Sequence, residues 1–278
     1  MSTRRRWWAV WLSEYPEEGS IHVRATSQGM ALQGSRRPGR PVIAALYVAE
    51  GGVYYGLADV DPWPEARDAR LYAGPWPVVA HPPCQRWGRY WHGGPSVTVR
   101  KVKGDDGGCF AAAIASVRRW GGVLEHPEAS AAWRAFELRP PERSTGWTSA
   151  DFHGGWTCCV EQGHYGHRAR KATWLYACGV RLPSLQWGPS ARRVKLDHGF
   201  HTAEERRRFR HLEPGTTAEV RAARNAWLDR YSRETGKEWC CPERMSARER
   251  LATPVEFRDL LLDIVRTALP RSAREVAT

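Results

Sequence analysis

The sequence predicts an α/β fold built on a mostly parallel sheet, and three observations carry that prediction. Val42–Val48 and Val78–Ala80 are short continuous apolar runs, the pattern of strands buried on both faces rather than of half-exposed strands, which alternate. Between the second run and a third, Gly121-Gly122-Val123-Leu124, lies a segment expected to start a helix at Asp105-Asp106, with Phe110, Ala113, Ile114 and Val117 on one face; strand, helix and strand follow one another as in an α/β unit. The two later runs also end alike, in His81-Pro82-Pro83-Cys84 and Glu125-His126-Pro127, each with a polar group at the carboxyl end and proline beside it.

Residues 1–41 read as an N-terminal extension: Trp-rich alternation for a short strand or two, then a loop around Gln33–Arg40. The apolar stretch Trp7–Leu12 is too short for a secretory leader or a membrane span. The first strand runs into Ala49-Glu50-Gly51-Gly52. Paired glycines after a strand let a nucleotide-type cofactor approach backbone N–H groups; an ordinary turn is the alternative. Asp59 and Asp61 are candidates for holding ribose hydroxyls, although an acidic residue in that role usually stands about twenty residues beyond the glycines.

The centre of the chain is Cys84. Two prolines fix φ and push the preceding residues out of the helical region, so the backbone leaves the strand in one rigid direction and presents the sulfur just beyond the strand's carboxyl end. A buried, inert thiol is the plain alternative. If the strands of Val78 and Val123 are parallel neighbours, Glu125 lies close to Cys84, where a carboxyl group can exchange a proton with a bound ring; a helix cap or surface carboxylate is the other reading. Past Cys84, Arg86, Arg89, Arg100, Lys101 and Lys103 interleave with Trp87, Tyr90, Trp91 and His92, a composition suited to a DNA backbone and a stacked base, or to a solvated basic loop.

Arg168 and Arg170 alternate before the apolar run Trp174-Leu175-Tyr176, so they share a face if the extended segment begins there. Cys158, Cys159, His164 and His167 match no common zinc spacing, and no metal is expected. Residues 188–243 turn polar and Arg-rich, with a helix expected over Thr217–Arg233 and a second around Arg206, Arg207 and Arg208. This stretch is read as a small inserted lobe, or as a solvated helical hairpin without a partner. A last helix, carrying Phe257, Leu260, Leu261, Ile264 and Val265, packs back on the main domain. The division is therefore 1–41, then 42–187 with 244–278 as the α/β domain, and 188–243 as the lobe.

A formal charge of +12 and a sequence pI near 9.7 point to a polyanionic partner, DNA first and an anionic membrane surface second; a coding bias toward arginine explains part of the excess. Seven cysteines without Cys-x-x-Cys spacing suit a reduced, cytoplasmic protein, associated with the nucleoid when on DNA. A monomer with no membrane partner is expected.

In their order along the chain these features resemble the DNA cytosine carbon-5 methyltransferase family. His81-Pro82-Pro83-Cys84-Gln85 resembles its Pro-Cys nucleophile loop, Val123-Leu124-Glu125-His126-Pro127 its Glu-Asn-Val strand end, and Tyr165-Gly166-His167-Arg168-Ala169-Arg170 its arginine motif. Leu46–Gly52 is similar to its opening glycine motif, and Ser246–Leu251 to its closing Thr-x-Arg-Glu segment. The resemblance implies a compact Rossmann-like, methyltransferase-type fold with a small, mainly helical inserted lobe as target recognition region. It implies Cys84 as nucleophile on carbon-6, Glu125 as proton donor to ring nitrogen 3, and Arg168 and Arg170 on the base oxygen and flanking phosphates. S-adenosylmethionine is the implied cofactor, at Tyr47, Gly51, Gly52, Asp59, Asp61 and Pro82. DNA is the implied partner, met by Arg86, Arg89, Arg100, Lys101, Lys103 and Arg206–Arg208. Ala49 replaces a motif glycine, His126 replaces Asn, and the arginine motif lacks its Gln. Most departures fall on the cofactor side, which keeps two rivals open: the same base chemistry with another donor or water, and a non-catalytic DNA-binding relative.

Overall fold

Seven short segments pair into one sheet in the computed structural model: β1 (Ile43–Leu46), β2 (Val60–Trp63), β3 (Val78–Ala80), β4 (Gly122–Pro127), β5 (Thr148–Ser149), β6 (Trp156–Glu161) and β7 (Ala172–Cys178). The spatial order is β2-β1-β3-β4-β7-β6-β5. The structure describes residues 42–88, 91–92, 101–192, 196, 222, 226, 229–234, 236, 245 and 247–269. The N-terminal extension, Arg89, Arg100, Arg206, Arg207, Arg208, Ser246 and most of the 188–243 lobe lie outside the described residues; of the helix expected over Thr217–Arg233, the described residues 222, 226 and 229–233 are helical.

The fold is α/β, but only half of the sheet is parallel. β2, β1, β3 and β4 run in one direction; β7 lies antiparallel to β4, and β6 and β5 continue in antiparallel pairing. This corrects the expectation of a mostly parallel sheet, and the cause is connection length. A parallel crossover needs a dozen residues or more, usually with a helix. Residues 162–171 between β6 and β7 hold only a 3₁₀ turn, Gln162–Tyr165, so β7 has to turn back.

The continuous apolar runs mark strands covered on both faces. Ala44, Leu46, Val78, Ala80, Leu124 and Tyr176 face Phe110, Ala113, Ile114 and Val117 of α1 (Cys109–Trp120), with Trp133 of α2 (Ala131–Ala135). The alternate residues Ile43, Ala45, Val79, Val123, Leu175 and Ala177 face Phe257, Leu261, Leu262, Ile264 and Val265 of α4 (Val255–Arg266). Each buried Val, Leu, Ile or Phe among them contributes about 1.5–3 kcal/mol relative to exposure. A short α3 (Ala247–Leu251) precedes α4. Among the described residues no helix is long and apolar enough to cross a membrane.

Three details position the site. α1 starts at Cys109 rather than at Asp105, because Gly107 and Gly108 take left-handed φ values of 67° and 82°. Asp106 nevertheless caps it from outside, accepting from the backbone N–H groups of Gly108 at 2.9 Å and Phe110 at 2.8 Å. The same carboxylate accepts the Trp87 indole N–H at 2.8 Å, so Trp87 is buried in the core and does not serve the basic loop as a stacking surface. Finally, Gly122 sits at φ 138°, where an added Cβ would lie 1.9 Å from the Val78 carbonyl oxygen; the absence of a side chain is what lets β4 close against β3.

Candidate active site

The site collects at the carboxyl edge of the parallel strands. His81 extends the β1–β3 pairing by donating its backbone N–H to the Leu46 carbonyl at 3.1 Å. Pro82 is buried and Pro83 half-buried, and the Cys84 carbonyl then accepts from Trp87 N–H at 3.0 Å and Gly88 N–H at 2.8 Å. The partly exposed Cys84 is thus held between a proline corner and a turn anchored by a core tryptophan. β4 pairs Leu124 with Ala80, so Glu125, still paired with Leu175 of β7, is the first residue past the β3 pairing and comes beside His81.

Glu125 is the hub of a hydrogen-bond network. Its Oε2 lies 3.0 Å from His81 Nδ1, and its Oε1 accepts from Gln162 Nε2 at 3.3 Å. Gln162 also donates to Thr173 Oγ1 at 3.0 Å, and Tyr54 Oη lies 2.8 Å from His81 Nε2. An ionised carboxylate offers roughly four acceptor positions, and these contacts use two.

The charges of this cluster depend on one another. Burial, then the negative charge of Glu125, pushes the Cys84 thiol up to about 11, with Lys171 pulling the other way. Burial alone would raise the Glu125 carboxyl, but the His81 hydrogen bond and charge, then Lys171, outweigh it and hold the group below its ordinary value. Lys171 is itself lowered by burial, against the attraction of Glu125 and Cys84. Burial takes His126 down to about 4. That ring shares a 2.7 Å hydrogen bond between Nδ1 and Ser130 Oγ, and its Nε2, near the Pro83 carbonyl, completes no hydrogen bond.

Arg168 and Arg170 are not on a strand, which corrects the expectation that they share one face. β7 begins at Ala172, delayed by the 3₁₀ turn and a left-handed Gly166 at φ 89°. Arg168 is exposed and pairs with Glu249 of α3; Arg170 donates to the Arg192 carbonyl at 3.1 Å. Lys171 stands just before β7 and Thr173 within it, and Lys171 is the cation whose charge acts on Cys84 and Glu125. Its φ of 44° is a sparsely populated conformation for a residue with a side chain, and its Nζ donates to the Ala252 carbonyl at 3.1 Å.

The residues expected around a cofactor are mostly engaged elsewhere. Tyr47 is buried, at φ 60°, with its hydroxyl donating to the Cys109 carbonyl at 3.0 Å. Asp59 pairs with Arg266 at 2.9 Å, and Asp61 with Arg67 at 2.6 Å. Gly51, at φ 66°, leads into Gly52, whose N–H donates to the Ala49 carbonyl at 3.0 Å, an ordinary turn geometry. Of the basic residues after Cys84, Arg86 is half-buried and its carbonyl accepts from Gly104 N–H at 3.0 Å. That bond ties the segment holding Lys101 and Lys103 to the Cys84 loop. Among the described residues no group of three or more His, Cys, Asp or Glu is placed to hold a metal ion.

Sequence reasoning assigned no role to Tyr54, His81, Gln162, Lys171 or Thr173. His81 carried the one available signal, a titratable side chain directly at the end of the central strand; the others meet only through the antiparallel return of β7. Fold and site define an α/β protein with a thiol and a carboxylate at a shared strand edge. A scan against models of protein families finds no match to the chain, and a search of curated proteins finds none either.

Proposed function

We propose that the chain is an enzyme of the methyltransferase type that modifies cytosine in DNA at carbon-5. The observation that carries the proposal is the placement of Cys84 past the carboxyl end of β3 and of Glu125 in the carboxyl-terminal half of the adjacent parallel strand β4, the thiol favoured as neutral and the carboxylate as ionised. One internal proton shift, from sulfur to carboxylate, turns that resting pair into a nucleophile beside an acid.

On a cytosine flipped out of the helix, the Cys84 sulfur bonds to carbon-6 while Glu125 passes the proton it has received to ring nitrogen 3. The ring gains an S–C bond and an N–H bond, and carbon-5 becomes electron-rich enough to attack an electrophile. Loss of the carbon-5 proton to water, expulsion of Cys84 as thiolate and return of the nitrogen-3 proton to Glu125 restore the ring. Lys171, rather than Arg168 or Arg170, is the cation suited to the base oxygen. Arg86, Lys101 and Lys103, with the net charge of +12, suit the phosphates.

The strand order reverses between β1 and β3, and in open α/β sheets ligands bind in the crevice at that point. The location therefore suits a nucleotide-like donor beside Cys84. S-adenosylmethionine would supply an electrophilic methyl group there. Its expected ribose contacts do not fit that task, because Asp59 and Asp61 are already ion-paired; no step above passes through it.

The test is mass spectrometry of nucleosides from DNA of cells expressing the wild-type protein or Cys84→Ala. A Cys84-dependent rise in 5-methylcytosine is expected. A different Cys84-dependent base would move the reading to another donor, and unchanged DNA together with no covalent adduct on 5-fluorocytosine DNA would reduce the protein to a binder.

A further inference from the structure

The hydrogen bonds of Glu125 lead away from Cys84 as well as toward it. Tyr54 is 3% exposed and lies in the turn after β1, where Arg258 of α4 holds the neighbouring Val53 carbonyl at 2.7 Å. Its hydroxyl reaches His81 Nε2 at 2.8 Å, and the ring's other nitrogen reaches Glu125 Oε2 at 3.0 Å. The two ring centroids are 5.5 Å apart, with the planes tilted by 51°. A carboxylate can only accept, so Nδ1 carries the hydrogen whether His81 is neutral or charged. Burial, then the charge of Glu125, keeps the Tyr54 phenol protonated; beside a neutral imidazole it therefore donates to Nε2 and selects the tautomer that donates to Glu125.

We propose that Tyr54 and His81 are positioning residues, a hydrogen-bonded chain from the turn after β1 to Glu125 that orients the carboxylate and favours its ionised form. The proposal rests on reading Glu125 as the proton carrier for Cys84. It gives a role to a histidine and a tyrosine that the resemblance leaves without one, and it couples the turn beside the β1–β3 crevice to the reacting carboxylate. The titratable groups acting on Glu125 are Cys84 and His81 from the β3 loop, His126 from β4, Lys171 before β7 and Tyr54 from the β1 turn. Arg258 and Asp259 of α4 act on Tyr54.

The experiment follows the Glu125 carboxyl by ¹³C NMR in glutamate-labelled protein, assigned with Glu125→Gln, through a pH titration. In His81→Leu the Glu125 midpoint should rise by about one pH unit or more, since burial then acts with less opposition. His81→Asn, which keeps an N–H donor at the Nδ1 position, should restore most of the difference. Tyr54→Phe, which keeps the ring and removes only the hydroxyl, should raise the midpoint by less, and should add nothing in the His81→Leu background. A Glu125 midpoint unmoved by His81→Leu, or equal effects of Tyr54→Phe with and without His81, would overturn the chain. If His81→Leu fails to fold, Tyr54→Phe and His81→Asn decide the matter, and no movement of the midpoint in Tyr54→Phe counts against the proposal. In parallel, adduct formation is measured on duplex DNA carrying 5-fluorocytosine. No adduct from the wild type defeats the cytosine chemistry, whereas the carboxyl titration tests the chain independently.

Discussion

The two ends of the parallel half of the sheet use similar residues differently. Around the carboxyl ends of β3 and β4, His81, Cys84, Glu125, Gln162, Thr173 and Lys171 converge, and the hydrogen bonds described leave acceptor positions on Glu125 unfilled. Beyond β1 and beside β2, Tyr47 is committed to the core, Asp59 to Arg266 and Asp61 to Arg67. The first group gathers at the carboxyl edge, whereas Asp59 precedes β2 and Asp61 lies within it; the first group keeps acceptor positions that a substrate can use. The difference teaches that a polar residue at a strand end becomes a functional candidate when its neighbours support it without saturating it.

Substitutions should separate the two ends cleanly. Cys84→Ala and Glu125→Gln should have the largest effects: the first should abolish adduct formation, and the second should slow it by about 10²- to 10⁴-fold, as expected for loss of a positioned proton carrier. The Glu125 carboxyl is held below its ordinary value, so wild-type adduct formation should be level near neutral pH and fall as acid protonates the carboxylate. The same depressed group favours folding above its unfolded titration range, and that stabilisation is lost as pH falls through the folded value. Stopped-flow measurement across pH, with thermal melts of Glu125→Gln for comparison, checks both signs.

A smaller effect should distinguish Lys171 from the two arginines. Lys171→Met should lower adduct yield by roughly ten-fold through lost charge stabilisation, while Arg168→Gln and Arg170→Gln should change it less than about two-fold, since their partners lie on the surface. Equal losses at Lys171 and Arg168 would return the arginines to the site. Smallest of all, Asp59→Asn should cost at most about 1 kcal/mol of stability by melting, because its ion pair is partly exposed, and should leave adduct formation unchanged. A large loss of activity in Asp59→Asn would erase the contrast between the two ends.

The legible parts of the sequence were those governed by burial. Runs such as Ile43–Leu46 and Val78–Ala80 are apolar without alternation because helices cover both faces, and the spacing of Phe110, Ala113, Ile114 and Val117 marks the inner face of α1. β2 was harder to read, since its Val60-Asp61-Pro62-Trp63 mixes an acid and a proline; it is an edge strand, where the missing proline N–H costs no ladder bond. Arg168 and Arg170 were misplaced because a 3₁₀ turn and a left-handed glycine postpone β7, and neither leaves an apolar period. His81 could be seen at the end of the strand, but its bond to Glu125 depends on which strands become neighbours. Lys171 reaches the site through the reversal of β7, which depends on the short connection after β6.

One missing methyl group regulates the whole assembly at a distance. With glycine at 122, adjoining strands pair closely where an alanine Cβ would collide with the Val78 backbone. Alanine at this position would act as a wedge, parting β3 from β4 and drawing the sulfur away from the carboxylate while every reactive group stayed chemically intact. Such a variant would part the two groups by spacing alone, a caliper set too wide.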